Sequence, residues 1–140
     1  MNMPLDKVQY WLDIASYDFE TAEAMQRTGR WLYVGFMCHQ TIEKTLKAYW
    51  NAVREDDPPY IHNLKRLAAG TELFDALSEE QKDFIDRLTP LNIEARYPSY
   101  KDALAKSLNE EYCAKIIEET NNLKQWIEQK LLDLSENSNE

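Results

Sequence analysis

The sequence predicts an all-α protein, an up-and-down antiparallel bundle of four to five helices. Three observations carry this. The chain of 140 residues holds only 3 Gly and 5 Pro, so turns are few and elements must be long. Apolar residues recur with a period near 3.6 in three long segments. No stretch alternates as a strand would.

The first helix opens at Met3-Pro4-Leu5, where proline suits a first turn. Val8, Leu12, Ala15, Phe19, Ala22 and Met25 form its stripe, broadened by Trp11 and Ile14, and Gly29 stops it. A second helix follows over about Trp31 to Arg54, with Leu32, Phe36, His39, Ile42, Leu46, Tyr49 and Val53 on one face. So short a connection makes the two an antiparallel hairpin. Glu55-Asp56-Asp57-Pro58-Pro59 ends the second helix and begins a stiff loop. A shorter helix begins at His62-Asn63-Leu64 and ends near Gly70. Ser78-Glu79-Glu80-Gln81 fits a capping box for a helix to about Leu88, broken by Thr89-Pro90. Leu91 to Lys106 is ambiguous, with Pro98 in its middle. Ser107-Leu108-Asn109-Glu110 reads as a second capping box. It opens a last long helix with the stripe Tyr112, Ile116, Leu123, Trp126, Ile127, Lys130 and Leu134. The expected organisation is one domain over residues 1–134 and a disordered polar tail over 135–140.

Charge limits the function. The formal net charge is −9. Residues 1–70 carry 9 acidic and 8 basic side chains, net −1, and residues 71–140 carry 16 and 8, net −8. That field opposes broad, non-specific nucleic-acid binding but leaves room for a local basic pocket. Cys38 and Cys113 lie far apart within apolar helical patterns, without metal spacing, and read as buried reduced thiols. HExxH, P-loop and GxGxxG motifs are absent, so no metal or cofactor is expected. The opening MNMPLDKVQYW lacks a signal peptide's apolar core, and no apolar run reaches the roughly 20 residues of a membrane span; the expectation is a soluble, cytoplasmic protein.

Three stretches hold the candidate chemistry. On a helix, Gln40, Glu43, Lys44 and Lys47 make one polar stripe beside the apolar face. Its plain reading is a set of i,i+4 pairs, Glu43 with Lys47 and Gln40 with Lys44. His62, at a helix start, is either a surface residue bonded to a neighbouring carbonyl or a site residue facing helix amides that favour an anion. Glu94-Ala95-Arg96-Tyr97-Pro98-Ser99-Tyr100 forms a rigid corner, either a packed anchor or an anion and base contact through Arg96, Tyr97 and Tyr100.

These stretches resemble the HEPN domains (higher eukaryotes and prokaryotes nucleotide-binding). HQTIEKTLKAYW resembles the family's QxxEKxLKA signature, through Gln40, Glu43, Lys44, Leu46, Lys47 and Ala48. His62-Asn63-Leu64, after a proline-rich loop, is similar to its His-x-Leu. Ala95-Arg96-Tyr97-Pro98 resembles its ARYP corner, and LDIASYDFETAEAM its opening helix of the ArxDlexA type. The resemblance implies a five-helix bundle that often dimerises and often accompanies a minimal nucleotidyltransferase, as in a toxin–antitoxin-type pair. Some relatives are metal-independent ribonucleases that use Arg, four to six residues, then His. Here Arg30 precedes His39 with eight residues between, and Arg54 precedes His62 with seven. The expectation is therefore a non-catalytic, homodimeric nucleotide-binding partner of a nucleotidyltransferase. Its phosphate-bearing ligand would lie among Lys44, Lys47, His62, Arg96, Tyr97 and Tyr100. A ribonuclease toxin and a helical scaffold are the alternatives.

Overall fold

Three long helices frame the protein: α1 (Leu5–Arg27), α2 (Trp31–Val53) and α7 (Glu110–Ser138). The structure is a computed structural model and describes residues 5–92 and 98–138. Between α2 and α7 stand α3 (Leu64–Ala69), α4 (Leu73–Ala76), α5 (Glu79–Leu88), a 3-10 turn (Thr89–Leu91) and α6 (Pro98–Ser107). No strand occurs among the described residues.

Gly29 ends α1 as its position predicts. It takes φ 73°, and Arg30 N donates to Met25 O at 2.9 Å while Gly29 N donates to Gln26 O at 3.3 Å. This paired closure requires a left-handed residue, which glycine adopts without steric penalty. The chain then returns antiparallel: at the far end Lys7 meets Asp57 at 2.7 Å and Trp11 Nε1 donates to Asn51 Oδ1 at 2.8 Å. The start of α7 sits at the turn end of this hairpin, where Gln26 donates to Glu110 O and the Cys113 thiol to Trp31 O. So α7 runs against α1 and along α2. Arg87 near the end of α5 forks onto Glu119 of α7 at 2.6 and 3.2 Å, and Ser78 at its start shares a groove with Trp126, so α5 runs against α7. Helices α1, α2, α5 and α7 thus alternate in direction.

Helix α2 is the central element, with 16 of its 23 residues buried. The innermost apolar side chains are Ile42 and Leu46 from α2, with Leu64, Leu67, Leu73, Ile85, Leu88 and Ile127 from its neighbours. Each such residue contributes roughly 1.5–3 kcal/mol through burial. The expected α1 stripe is buried or half-buried throughout.

Several local expectations change. The Ser78–Gln81 capping box forms. The second does not: Asn109 Oδ1 accepts from Tyr112 N at 2.8 Å, while Ser107 Oγ donates back to Leu104 O at 2.8 Å. An Asn is as good an N-cap as Ser, and α6 claims Ser107 as its own last residue. On α7, Cys113 rather than Tyr112 faces inward. The helix also continues through Ser138, beyond the expected end at 134, because no Gly or Pro interrupts it. The ambiguous 91–106 stretch yields α6, with Pro98 at its first position.

Candidate functional site

The polar stripe of α2 is where the expected surface becomes an interior. Glu43 is 0% exposed, Lys47 7% and Gln40 8%. The i,i+4 pairs form as their spacing predicts, with Lys47 Nζ 3.2 Å from Glu43 Oε2 and Lys44 Nζ 2.8 Å from Gln40 Oε1. Lys44 also reaches Glu43 Oε2 at 3.1 Å. The second carboxylate oxygen, Oε1, lies 3.0 Å from His62 Nδ1 and 3.9 Å from His39 Nδ1. One buried carboxylate therefore gathers two ammonium groups and an imidazole. A neighbouring imidazole, His39, is 1% exposed.

Helix α1 closes one side of this centre. The Trp11 ring lies under Lys47, whose ammonium is 5.4 Å from its centroid. Asp18 interacts electrostatically with Lys44 and Glu43. Burial raises the Asp18 carboxyl above its usual range, Lys44 draws it down and Glu43 pushes it up. Burial pushes Glu43 upward too, but the Lys44 and Lys47 charges and the Lys44 and His62 hydrogen bonds outweigh it. Glu43 is thereby held below the ordinary range and stays ionised. With Asp18 ionised, two positive and two negative charges balance. Access is graded: the side chain of Glu43 is 0% exposed, Lys47 8%, Lys44 17% and His62 48%. Donors thus stand at the mouth and the carboxylate at the bottom. Gln40 Nε2, beside Lys44, is a buried donor with no hydrogen-bond partner among the described residues, which costs about 1–3 kcal/mol unless a water or ligand oxygen meets it.

The α2–α3 connection delivers His62. Arg54 Nε and Nη2 clasp Asp56 at 2.7 and 3.0 Å, and Nη1 donates to Gly70 O at 2.8 Å. The guanidinium lies 4.3 Å over the Trp50 ring, whose Nε1 donates to Asp56 O. Gly70 is required here, since a Cβ would stand 2.0 Å from Trp50 Cζ3. His62 precedes α3 rather than opening it: Asn63 is the N-cap and its side chain takes the Arg66 N–H at 3.0 Å. One of the first-turn amides of six-residue α3 is thus taken by Asn63, and His62 stands outside the helix it was expected to open.

Of the residues expected at the site, the structure brings together Lys44, Lys47 and His62, with Gln40 and Glu43. Arg96 and Tyr97 lie outside the described residues, and Tyr100 is the third residue of α6. Sequence reasoning missed Asp18, Trp11 and Asn51, and treated His39 as core. Asn51 had a signal, since it stands four residues past Lys47 on the same helical face. Beside Asn51 a groove of about 490 Å³ opens between the start of α1 and the α2–α3 connection, lined by Asp6, Lys7, Tyr10, Trp11, Pro58 and Tyr60. Among the described residues no cluster could hold a metal ion, and no helix is long and apolar enough to cross a membrane.

Residues 8–130 match the family model of the HEPN domain. Two solved structures share the fold. The crystal structure of TT1696 from Thermus thermophilus superposes with a TM-score of 0.75 at 19% identity, covering 89% of this chain and 98% of that one. ST0689, described as an archaeal HEPN homologue, superposes with a TM-score of 0.59 at 18% identity, covering 89% and 97%. No curated protein matches the chain.

Proposed function

The chain belongs to the HEPN domain family, and from that premise we propose that it is a non-catalytic nucleotide-binding domain whose polar centre receives the phosphate of its ligand. The observation that carries this reading is the set of donors fixed around Glu43. Lys44 Nζ and His62 Nδ1 are anchored at 3.1 and 3.0 Å, which pre-orients both side chains at the mouth. An ammonium group has three donors, so Lys44 keeps capacity for a phosphate oxygen after serving Gln40 and Glu43. The unpartnered Gln40 Nε2 nearby is a further donor. In the same reading Arg96, Tyr97 and Tyr100 complete the ligand contacts. The domain works as the homodimeric partner of a minimal nucleotidyltransferase, in a toxin–antitoxin-type pair. The exposed rings of Tyr17 and Tyr33, and exposed Leu132, supply apolar surface for such contacts.

The full burial of Glu43 also favours a second reading, a polar layer that only supports the fold. Titration calorimetry with pyrophosphate and adenosine nucleotides separates the two. The expected result is saturable binding that weakens at least about tenfold in Lys44→Ala, an interaction to a charged group being worth about 1.5–3 kcal/mol. No binding to the wild type, or equal binding to the folded variant, would leave the purely structural layer.

A further inference from the structure

The polar stripe of α2 does not stop at Lys47. Asn51 extends it by one turn, about 6 Å along the axis, and its amide links the stripe to the groove beside α1. Asn51 Oδ1 accepts from Trp11 Nε1 at 2.8 Å, and the Asn51 amide helps hold the nearby Asp57 carboxyl below its usual range, where Lys7 meets it at 2.7 Å. Trp11 is the shared wall: its ring carries Lys47 at 5.4 Å and also lines the groove. Tyr10 packs edge-on against Trp11, with centroids 5.2 Å apart and planes at 74°, leaving Tyr10 58% exposed. Tyr60 is 101% exposed and Pro58 stiffens the opposite rim. Two exposed phenol rings facing water gain from a flat partner.

We propose that this groove binds the base of the nucleotide, and that it favours a base bearing an exocyclic amino group. The inference rests on reading the Glu43 centre as the phosphate site. Three features set the ligand class. Three of its eight lining residues, Tyr10, Trp11 and Tyr60, are aromatic, which suits a planar heterocycle, since every base offers a π-face. Lys7 neutralises Asp57 at 2.7 Å, which leaves Asp6 as the groove's unbalanced charge; both carboxylates accept hydrogen bonds from amino groups, and the net negative lining favours the base over the phosphate here. Lys47 stands one turn from Asn51 and the phosphate donor Lys44 two turns, about 10 Å along the axis, so the centre lies within reach of the 5′-phosphate of a nucleotide whose base is in the groove. A single ligand can therefore span groove and centre, its sugar passing Trp11. Size agrees too, since the groove volume falls in the range of small-molecule sites.

The test uses the full chain with adenosine, uridine, AMP and pyrophosphate, measured by calorimetry against wild type, Tyr10→Ala and Tyr60→Ala. Both tyrosines are exposed, and Tyr60 is fully so, so its loss leaves the fold intact. Adenosine should bind and uridine should bind at least about fivefold more weakly. Each substitution should weaken AMP at least about fivefold while pyrophosphate binding is unchanged, as expected for loss of one stacking partner. Unchanged AMP affinity in both variants, absence of adenosine binding at millimolar concentration, or equal binding of uridine would overturn the proposal. Failure of pyrophosphate to bind while adenosine still depends on Tyr60 would instead overturn the phosphate reading and leave the groove as a nucleoside site.

Discussion

Glu43 Oε1 and His62 Nδ1 lie 3.0 Å apart although they stand 19 positions apart in the chain. The carboxylate comes from the middle of a buried helix and the imidazole from a loop, and their meeting sets the geometry of the whole polar centre. With Glu43 as acceptor, Nδ1 is the donor, so the orientation and tautomer of the ring follow from the loop's position.

Removing the Glu43 charge should be strongly destabilising. Glu43→Gln leaves Lys47 and Lys44 in a buried setting without their counter-charge, a situation that costs about 3–5 kcal/mol. Urea unfolding monitored by circular dichroism measures it. A loss below about 1 kcal/mol would mean that the lysines find other partners or water.

Acid should act on the same group. The folded carboxyl of Glu43 is held below the usual value of 4.5, so the folded state binds fewer protons there than the unfolded chain. Its contribution is present above the unfolded pKa and is lost as pH falls through the folded pKa. The stability gap between wild type and Glu43→Gln should therefore narrow in acid. Asp18 has the opposite sign, because burial raises it above 3.8. Asp18→Asn should gain stability relative to wild type as pH rises through the carboxylate range, and a constant gap across pH would contradict the assignment.

Both thiols should be inert in the native protein. Burial pushes Cys38 up to about 12 and Cys113 up to about 11, and both are 0% exposed. Thiolate is the reactive form, so a disulfide reagent at a pH of about 8 should react only as fast as the chain unfolds. Two thiols titrating within the mixing time under native conditions would refute this.

Purified protein should not cleave RNA. Metal-independent cleavage needs a base and a cation held beside the scissile phosphate. Arg54, the arginine nearest before His62, is instead committed to Asp56, Gly70 O and the Trp50 ring. Cleavage that disappeared in His62→Ala would show that another cation serves.

The sequence by itself determined α1, α2, α3, α5 and α7 and their order, because a 3.6-residue period, a glycine stop and a Ser78 capping box are local signals read within a few turns, whereas four-residue α4 and the Pro98-led α6 carry no such signal. It also determined the pairing of Gln40 with Lys44 and Glu43 with Lys47, since i,i+4 neighbours meet on any helix. Tertiary structure alone decided that this stripe is buried. Periodicity tells which residues share a face, but it cannot tell what covers that face, and α2 is covered on nearly every side. Packing likewise brought Asp18 and Trp11 of α1 and His62 of the α2–α3 connection to the centre around Glu43. It chose Asn109 over Ser107 as the cap of α7, because two adequate caps compete locally and only the preceding helix settles which is free.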